Sequence, residues 1–235
     1  KVLIVDFDNT LRCFSIKNGN EIWNFKTEKS FIKSQKNMSL LVSNNILFFN
    51  NSIGDISAIN IESGDLIWQT PTQSSAIYEN SFLLKTSNFS LSKNSILFSN
   101  NKNEFFSINK KNGTINWKLN VNSSLTSVIH DNIIFTVSNS GYLILINENT
   151  GRVIRATDVF DIFKDKKRKF IKPIGFIVNN KNIYLTTSNG KLLIIDLNNG
   201  KTKNVIKVDN DKISKPYIMN EKLIIIANNF LLKID

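Results

Sequence analysis

The sequence has almost no cysteine or histidine. Cys13 is the single cysteine and His130 the single histidine among 235 residues. One cysteine cannot form an intrachain disulfide, and the two residues together are too small a set for a structural His/Cys metal site. Cys13 is therefore predicted to be a packed free thiol and His130 a surface turn residue, and no cofactor or catalytic residue is predicted.

Long apolar runs and clustered arginines are also missing. No run approaches the roughly 18 apolar residues of a membrane-spanning helix, so no transmembrane segment is predicted. The net charge of +11 is carried mainly by lysines that are dispersed along the chain. A nucleic-acid-binding surface is expected to cluster arginines among aromatic residues. The sequence therefore predicts no nucleic-acid partner.

What the sequence does contain is a repeat with a period of 38–49 residues. It is marked by five glycines, and in the first three copies a tryptophan follows the glycine after four residues. These positions are Gly19, Trp23, Gly64, Trp68, Gly113, Trp117, Gly151 and Gly200. Arg155 and Asn204 take the tryptophan position in the last two copies. A period of this length indicates a supersecondary unit that buries its apolar faces against its neighbours.

A second column of the repeat lies ten residues before each glycine and contains only Gly or Asn. Its members are Asn9, Gly54, Asn103, Gly141 and Gly190, and Asn229 has the same place in a truncated sixth unit. Gly and Asn enter the left-handed backbone region most cheaply. The column therefore predicts a tight turn between two strands in every unit.

Each unit contains three short apolar or β-branched runs separated by turns, with a further strand before them. Four antiparallel strands in 40–50 residues are typical of a propeller blade. We predict an all-β fold, a β-propeller of four-stranded antiparallel blades, as one domain over residues 1–235. Six blades are represented; the first lacks its inner strand and the last its outer strand. The tryptophans are predicted to pack between neighbouring blades, with each indole N–H bonded to a backbone carbonyl.

Two segments are longer than the repeat requires, and long loops on a rigid scaffold often carry recognition. The first is Ser74–Ser95, a loop with an apolar patch at 82–84, and the second is Asp158–Lys172. The second combines aromatic residues with positive charge, which would suit an acidic protein partner. Its predicted partner-binding residues are Phe160, Phe163, Lys164, Lys166, Lys167, Arg168 and Lys169. The alternative is a solvated insertion.

The opening segment Leu3–Leu11 resembles the first motif of haloacid-dehalogenase-type phosphotransferases, in which the first of two carboxylates is the nucleophile. In the repeat alignment, however, Asp6 and Asp8 fall on Ser138 and Ser140, within the turn between two strands. The turn interpretation is favoured, because the parallel α/β pattern of those enzymes is missing.

The repeats resemble the pyrroloquinoline-quinone-type propeller repeat, most closely at 54–68 and 141–151. That repeat occurs in quinone-dependent dehydrogenases and in binding scaffolds without quinone. The resemblance implies a vicinal disulfide and acidic and Asn ligands for Ca²⁺ in the dehydrogenases. A chain with one cysteine cannot form that disulfide.

Over essentially its whole length the chain is similar to the BamB family of outer-membrane assembly lipoproteins, particularly its alphaproteobacterial form. The similarity is most specific at 164–169, 172–176, 188–192, 200–201 and 213–216. It implies an eight-bladed, lipid-anchored, non-catalytic scaffold on the periplasmic face of the outer membrane, which binds periplasmic domains of the BamA barrel insertase.

On that view the chain is a C-terminal fragment whose anchor and about two blades lie upstream, since it opens inside a strand at Lys1. A quinone-dependent dehydrogenase and a generic propeller adaptor stay open as alternatives.

Overall fold

The structure is a computed structural model that describes residues 1–6, 8, 10–27, 38–72 and 85–234. Within these residues the chain forms six antiparallel sheets, the blades of a β-propeller. Blade 1 comprises β1 (Val2–Val5), β2 (Thr10–Phe14) and β3 (Glu21–Lys26). Blade 2 comprises β4 (Leu40–Ser43), β5 (Ile46–Asn50), β6 (Ile56–Asn60) and β7 (Leu66–Thr70). Blade 3 comprises β8 (Ser90–Leu91), β9 (Ser95–Asn100), β10 (Glu104–Asn109) and β11 (Ile115–Leu119).

The other three blades repeat this arrangement. Blade 4 comprises β12 (Val128–His130), β13 (Ile133–Val137), β14 (Tyr142–Asn147) and β15 (Val153–Asp158). Blade 5 comprises β16 (Pro173–Val178), β17 (Asn182–Thr187), β18 (Lys191–Asp196) and β19 (Thr202–Lys207). Blade 6 comprises β20 (Tyr217–Met219), β21 (Lys222–Ala227) and β22 (Phe230–Ile234). A single helical turn, α1 (Asp165–Arg168), lies between blades 4 and 5.

The predicted architecture is confirmed, including its incomplete ends. Blades 2 to 5 have four strands in chain order, whereas the first and last sheets have three each among the described residues. By comparison with the complete blades, blade 1 begins at the second strand position and blade 6 ends at the third. One boundary was wrong. The segment Ser74–Ser95 was predicted to be a loop, but Ser90–Leu91 is the innermost strand of blade 3. The predicted apolar patch at 82–84 lies outside the described residues.

The hydrophobic core is divided among the five interfaces between consecutive blades. Five separate clusters of buried residues each join two neighbouring sheets. In β5, for example, Phe48 packs toward blade 3, whereas Leu47 and Phe49 pack toward blade 1. Because side chains alternate along a strand, a strand between two blades must be apolar on both faces. This explains the continuous apolar runs at the second strand of each unit.

The left-handed turn column is confirmed wherever it is described. Gly54, Asn103, Gly141, Gly190 and Asn229 all have φ between +64° and +97°. Asn9 lies outside the described residues. The turns that join the first and second strands of several blades also contain two consecutive residues with positive φ, such as Asn44 and Asn45. Asparagine tolerates this conformation better than most residues, which is a structural use for an asparagine-rich sequence.

Three of the five repeat glycines, Gly64, Gly113 and Gly151, receive the tryptophan of the preceding blade. The indole N–H of Trp23 donates to the carbonyl of Ile61 at 3.2 Å, in the turn that contains Gly64. A Cβ atom on Gly64 would lie 2.7 Å from the Trp23 ring. Trp68 has the same relation to Gly113, and Trp117 to Gly151. The prediction that tryptophans join the blades is therefore confirmed, and the glycines are needed for close approach as well as for their positive φ (+69° to +81° at these three).

Arginine replaces tryptophan at one interface and reaches the same target. The guanidinium of Arg155 donates to the carbonyls of Leu197 and Asn198, in the turn of blade 5 that contains Gly200. A charged donor bonded to backbone carbonyls is stronger than a neutral one. Arg155 therefore joins blades 4 and 5 by hydrogen bonds, whereas the three preceding interfaces use an indole ring.

Replacing Arg155 with alanine is expected to lower the free energy of unfolding by about 1–2 kcal/mol, because two carbonyls of blade 5 lose their donor. The measurement is urea denaturation followed by circular dichroism. Arg152→Ala is the control, since Arg152 is exposed in the same blade and its removal should change stability by less than about 0.5 kcal/mol. Equal losses in the two variants would contradict this role.

Candidate functional site

The turns and links of the propeller lie on two opposite rims. Consecutive strands are antiparallel, so the left-handed turn column and the links between blades share one rim, which we call the linker rim. The turns with the repeat glycines lie on the other, the glycine rim. The linker rim therefore carries the segment 159–172, which joins β15 to β16. Main-chain bonds fix it there, including Val159 N–H to the Gly141 carbonyl at 2.9 Å.

Phe160 and Phe163, predicted to be exposed aromatic anchors for a partner, lie in the protein core instead. Phe160 is fully buried and Phe163 is 8% exposed, in the cluster between blades 4 and 5. Their rings contact each other edge to face, with centroids 5.3 Å apart. The Phe160 ring occupies the space next to Gly141 that a Cβ atom would fill. The two rings hold the inserted segment on the blades, and the fully buried Phe160 cannot contact a partner.

Arg168 is likewise engaged within the protein. It forms an ion pair with Asp158 at 2.6 Å, donates to the carbonyl of Ser140 at 3.5 Å and lies over the ring of Tyr142. The hydrogen bond to Asp158 raises the pKa of the Arg168 guanidinium above its ordinary value. Arg168 therefore closes the insertion onto blade 4. We had expected this arginine to serve mainly in partner encounter, and the structure gives it a positioning role.

The four predicted lysines of the insertion are displayed to solvent. Lys164, Lys166, Lys167 and Lys169 are all exposed, and α1 has no buried residue. None of the four forms an ion pair with any described residue. The anchors and the charges of the insertion are therefore separated, because the aromatic rings point into the core and the ammonium groups remain at the rim.

Beside these lysines is a cleft of about 610 Å³, which we call the lysine cleft. Its apolar wall includes Ile162 and Phe170, which are 43% and 73% exposed. Its charges are Lys164 and Lys167 from the insertion and Lys191 from β18. The Lys191 ammonium lies 5.0 Å from the centroid of the Phe163 ring at the floor. Sequence reasoning missed Ile162, Phe170 and Lys191, since only folding brings residue 191 next to the insertion.

The two sides of the lysine cleft are joined by two hydrogen bonds between Lys172 and Ser188. Lys172 N–H donates to the Ser188 hydroxyl at 2.9 Å, and Ser188 N–H donates to the Lys172 carbonyl at 2.8 Å. Ser188 and Asn189 belong to the turn between β17 and β18 and also line the cleft. The insertion is therefore held in a defined position against blade 5.

A second cavity, of about 630 Å³, lies along the propeller axis between the innermost strands of blades 3 to 6. Phe89, Val128, Phe176 and Tyr217 are among its walls, and Lys215 is the one charged residue among those described there. The carboxylates that a Ca²⁺–quinone pair would require are not among the described residues of this wall. Nowhere in the described chain do three or more His, Cys, Asp or Glu residues form a group suited to a metal ion.

The environments of two further candidate residues, Asp6 and Cys13, indicate structural roles. The Asp6 carboxylate accepts the N–H groups of Asp8 and Thr10 at 2.9 and 3.0 Å and pairs with Arg12 at 3.1 Å. Burial alone would raise the pKa of Asp6, but these hydrogen bonds outweigh it and lower the pKa. The turn interpretation of this segment is confirmed. Cys13 is a buried free thiol, as predicted, and burial raises its pKa.

His130 is exposed at the end of β12, with its Nε2 3.3 Å from the Asp131 carboxylate. It was predicted to be a surface turn residue, and the surface position is confirmed. In the described part of the chain, no helix has the length and apolarity needed to cross a membrane.

Comparison with solved structures returns propellers. The chain matches the crystal structure of BamB from Moraxella catarrhalis with a TM-score of 0.74 at 11% identity, over 98% of this chain and 68% of that one. It matches Saccharomyces cerevisiae Sqt1 with a TM-score of 0.69 at 12% identity, over 97% and 67%. A computationally designed protein, Ika8, gives 0.69 at 12% identity, over 97% and 65%. At these identities the matches show the fold, and the chain spans about two thirds of each structure.

No curated protein matches the sequence. The family of the outer membrane protein assembly factor BamB, however, matches residues 1–157, which is more than half of the chain. These residues include four of the five repeat glycines and all three tryptophans that join the blades. The chain therefore belongs to the BamB family of propellers with the pyrroloquinoline-quinone-type repeat.

Proposed function

We propose that the protein is a non-catalytic interaction scaffold of the machinery that assembles β-barrels in the outer membrane. The observation that carries this proposal is the family match over residues 1–157. The fold supports it, because both faces of the inner strands are used in blade packing and contacts with other proteins are left to the rims and edges. In this proposal residues 1–235 act as one propeller domain.

The proposed place of action is the periplasmic face of the outer membrane, and the proposed partner is the set of periplasmic domains of the BamA insertase. Both come from the family membership. In this proposal a lipid anchor holds the protein at the membrane. The net charge of +11 supports association with an acidic protein surface, since complementary charge speeds encounter.

The affinity-tagged protein is expected to retain a β-barrel insertase from a detergent extract of the envelope of its own organism. Mass spectrometry of the eluate is the measurement. Because a basic bait can retain acidic proteins without specificity, an unrelated propeller with the same net charge is the control, and both are washed at about 0.15 M and 0.5 M salt. Equal retention by the two baits would contradict the proposal.

The alternative function is that of an enzyme, a quinone-dependent dehydrogenase, since those enzymes contain the same repeat. It predicts that purified protein supplied with quinone and Ca²⁺ binds the quinone stoichiometrically and reduces a dye. That result would overturn the scaffold proposal. The described wall of the axial cavity speaks against it, because it offers one lysine and no carboxylate.

A further inference from the structure

We infer that the lysine cleft binds an extended acidic peptide segment that also carries a bulky apolar side chain. The inference deepens the proposed function, and rests on it, because it states the chemistry of the segment that the partner presents. The observation behind it is an apolar wall beside three lysines that no described acid neutralises.

The charge of the cleft is uncompensated. Lys164, Lys167 and Lys191 line it, no acidic residue is among its described walls, and none of the three lysines forms an ion pair with a described residue. Nearby Asp158 is already paired with Arg168. Asp161 and Asp165 are exposed on the insertion and do not line the cleft. A carboxylate-bearing ligand would therefore find three ammonium donors within one cleft.

The apolar wall indicates that the ligand carries an apolar group in addition to negative charge. Phe170 is 73% exposed although it lies next to the buried Phe163 and Ile171. A large aromatic ring left in water is a common anchor in protein interfaces. A ligand with only charge would leave this ring exposed, whereas a leucine or phenylalanine side chain next to the carboxylates would cover it.

The position of the cleft suits a macromolecular segment. It is open, it lies on the linker rim, and its two sides are held together by the two hydrogen bonds between Lys172 and Ser188. A preformed cleft orders few groups on binding, so less affinity is lost to entropy. An extended peptide could place alternate side chains on the lysines and on the Phe170 wall, because side chains alternate along an extended chain.

The test uses fluorescently labelled twelve-residue peptides in anisotropy titrations with the whole protein. A peptide that alternates glutamate and leucine is expected to bind at least about tenfold more tightly than one that alternates glutamate and serine, because the second cannot cover Phe170. Rising salt should weaken the binding. Equal affinity for the two peptides would overturn the inference.

Two variants connect the binding to the cleft. Replacing Lys164, Lys167 and Lys191 together with serine is expected to lower the affinity for the glutamate–leucine peptide at least about tenfold. The dependence of that affinity on salt should also become weaker. The matched control replaces Lys17, Lys111 and Lys201, three exposed lysines of the glycine rim, and should change affinity less than about twofold. Equal losses in the two triple variants would overturn the inference, because binding would then follow net charge.

Phe170→Ser tests the apolar contact. It is expected to lower the affinity for the glutamate–leucine peptide about fivefold and to leave the affinity for the glutamate–serine peptide unchanged. Circular dichroism of each variant establishes that it is folded. Binding to anionic phospholipid vesicles tests the competing possibility, a lipid site. The peptide inference would be overturned in favour of a lipid site if the wild-type protein bound vesicles but no peptide, and if the cleft variant did not bind vesicles.

The two proposals fail in distinguishable ways. If the wild-type protein retains the insertase and the cleft variant retains it equally well, the cleft inference is wrong and the proposed function stands. If the wild-type protein binds the glutamate–leucine peptide through the cleft but retains no insertase, the cleft is supported and the proposed function is wrong.

Discussion

Replacing Trp68 with alanine is expected to lower the free energy of unfolding by about 3–5 kcal/mol. The indole is 9% exposed and lies in the cluster between blades 2 and 3, with its ring 5.9 Å from that of Phe48. Its N–H donates to the carbonyl of Lys110 at 3.1 Å. The substitution removes the apolar contact and leaves a cavity, and that carbonyl loses its donor.

Urea denaturation followed by circular dichroism measures the effect without depending on tryptophan fluorescence. Ile67→Ala is the matched control, because Ile67 precedes Trp68 in β7 and is 44% exposed. Its replacement should cost less than about 1 kcal/mol. Blades contact only their neighbours, so weakening one interface can also separate the transition into two steps. A loss in the tryptophan variant no larger than in the control would contradict the interface role.

Replacing Gly113 with alanine is expected to cost about 2–4 kcal/mol, from two sources. The residue has φ +75°, and a side chain in the left-handed region costs about 1–2 kcal/mol. The added Cβ would also lie 2.6 Å from the Trp68 ring, and overpacking typically costs about 1–3 kcal/mol. The same denaturation experiment measures the sum.

Gly19→Ala separates these two costs. Gly19 occupies the same turn position in blade 1 with φ +73°, and no described atom lies within 4 Å of its Cβ position. Its replacement should cost the backbone part alone, about 1–2 kcal/mol. In the Trp68→Ala background, Gly113→Ala should lose the part of its packing cost that comes from the ring, whereas the close approach of the added Cβ to the Thr70 hydroxyl, at 2.8 Å, remains. Equal costs at the two glycines would show that only backbone strain matters at this position.

The fold could be predicted because its rules are local and repeated. Gly and Asn at the left-handed column specify the turns, and alternating or continuous apolar runs specify the strands. The spacing of Trp68 after Gly64 and before Gly113 then reveals a repeating unit. The innermost strand of blade 3 was missed because Ser90–Leu91 has only two residues, too few for a pattern in the sequence.

The site was predicted only in outline. A segment with Phe160, Phe163 and six basic residues is an evident insertion, and its lysines are indeed exposed. Composition cannot tell which face of an irregular segment is buried, so Phe160 and Phe163 were assigned to a partner although they anchor the segment. Arg168 could not be separated from the lysines, because its pairing with Asp158 depends on how the chain turns back over blade 4.

What the sequence by itself determined is therefore the blade, its turns and the way one blade joins the next through Trp23, Trp68 and Trp117. These features depend on residues within one repeat and on the period between repeats. Only the tertiary structure decided the cleft, since Lys191 on β18 meets Phe170 through the stacking of blade 5 against the insertion. The contact between these two segments depends on how all the intervening strands and turns pack. A local pattern of residues does not contain that information.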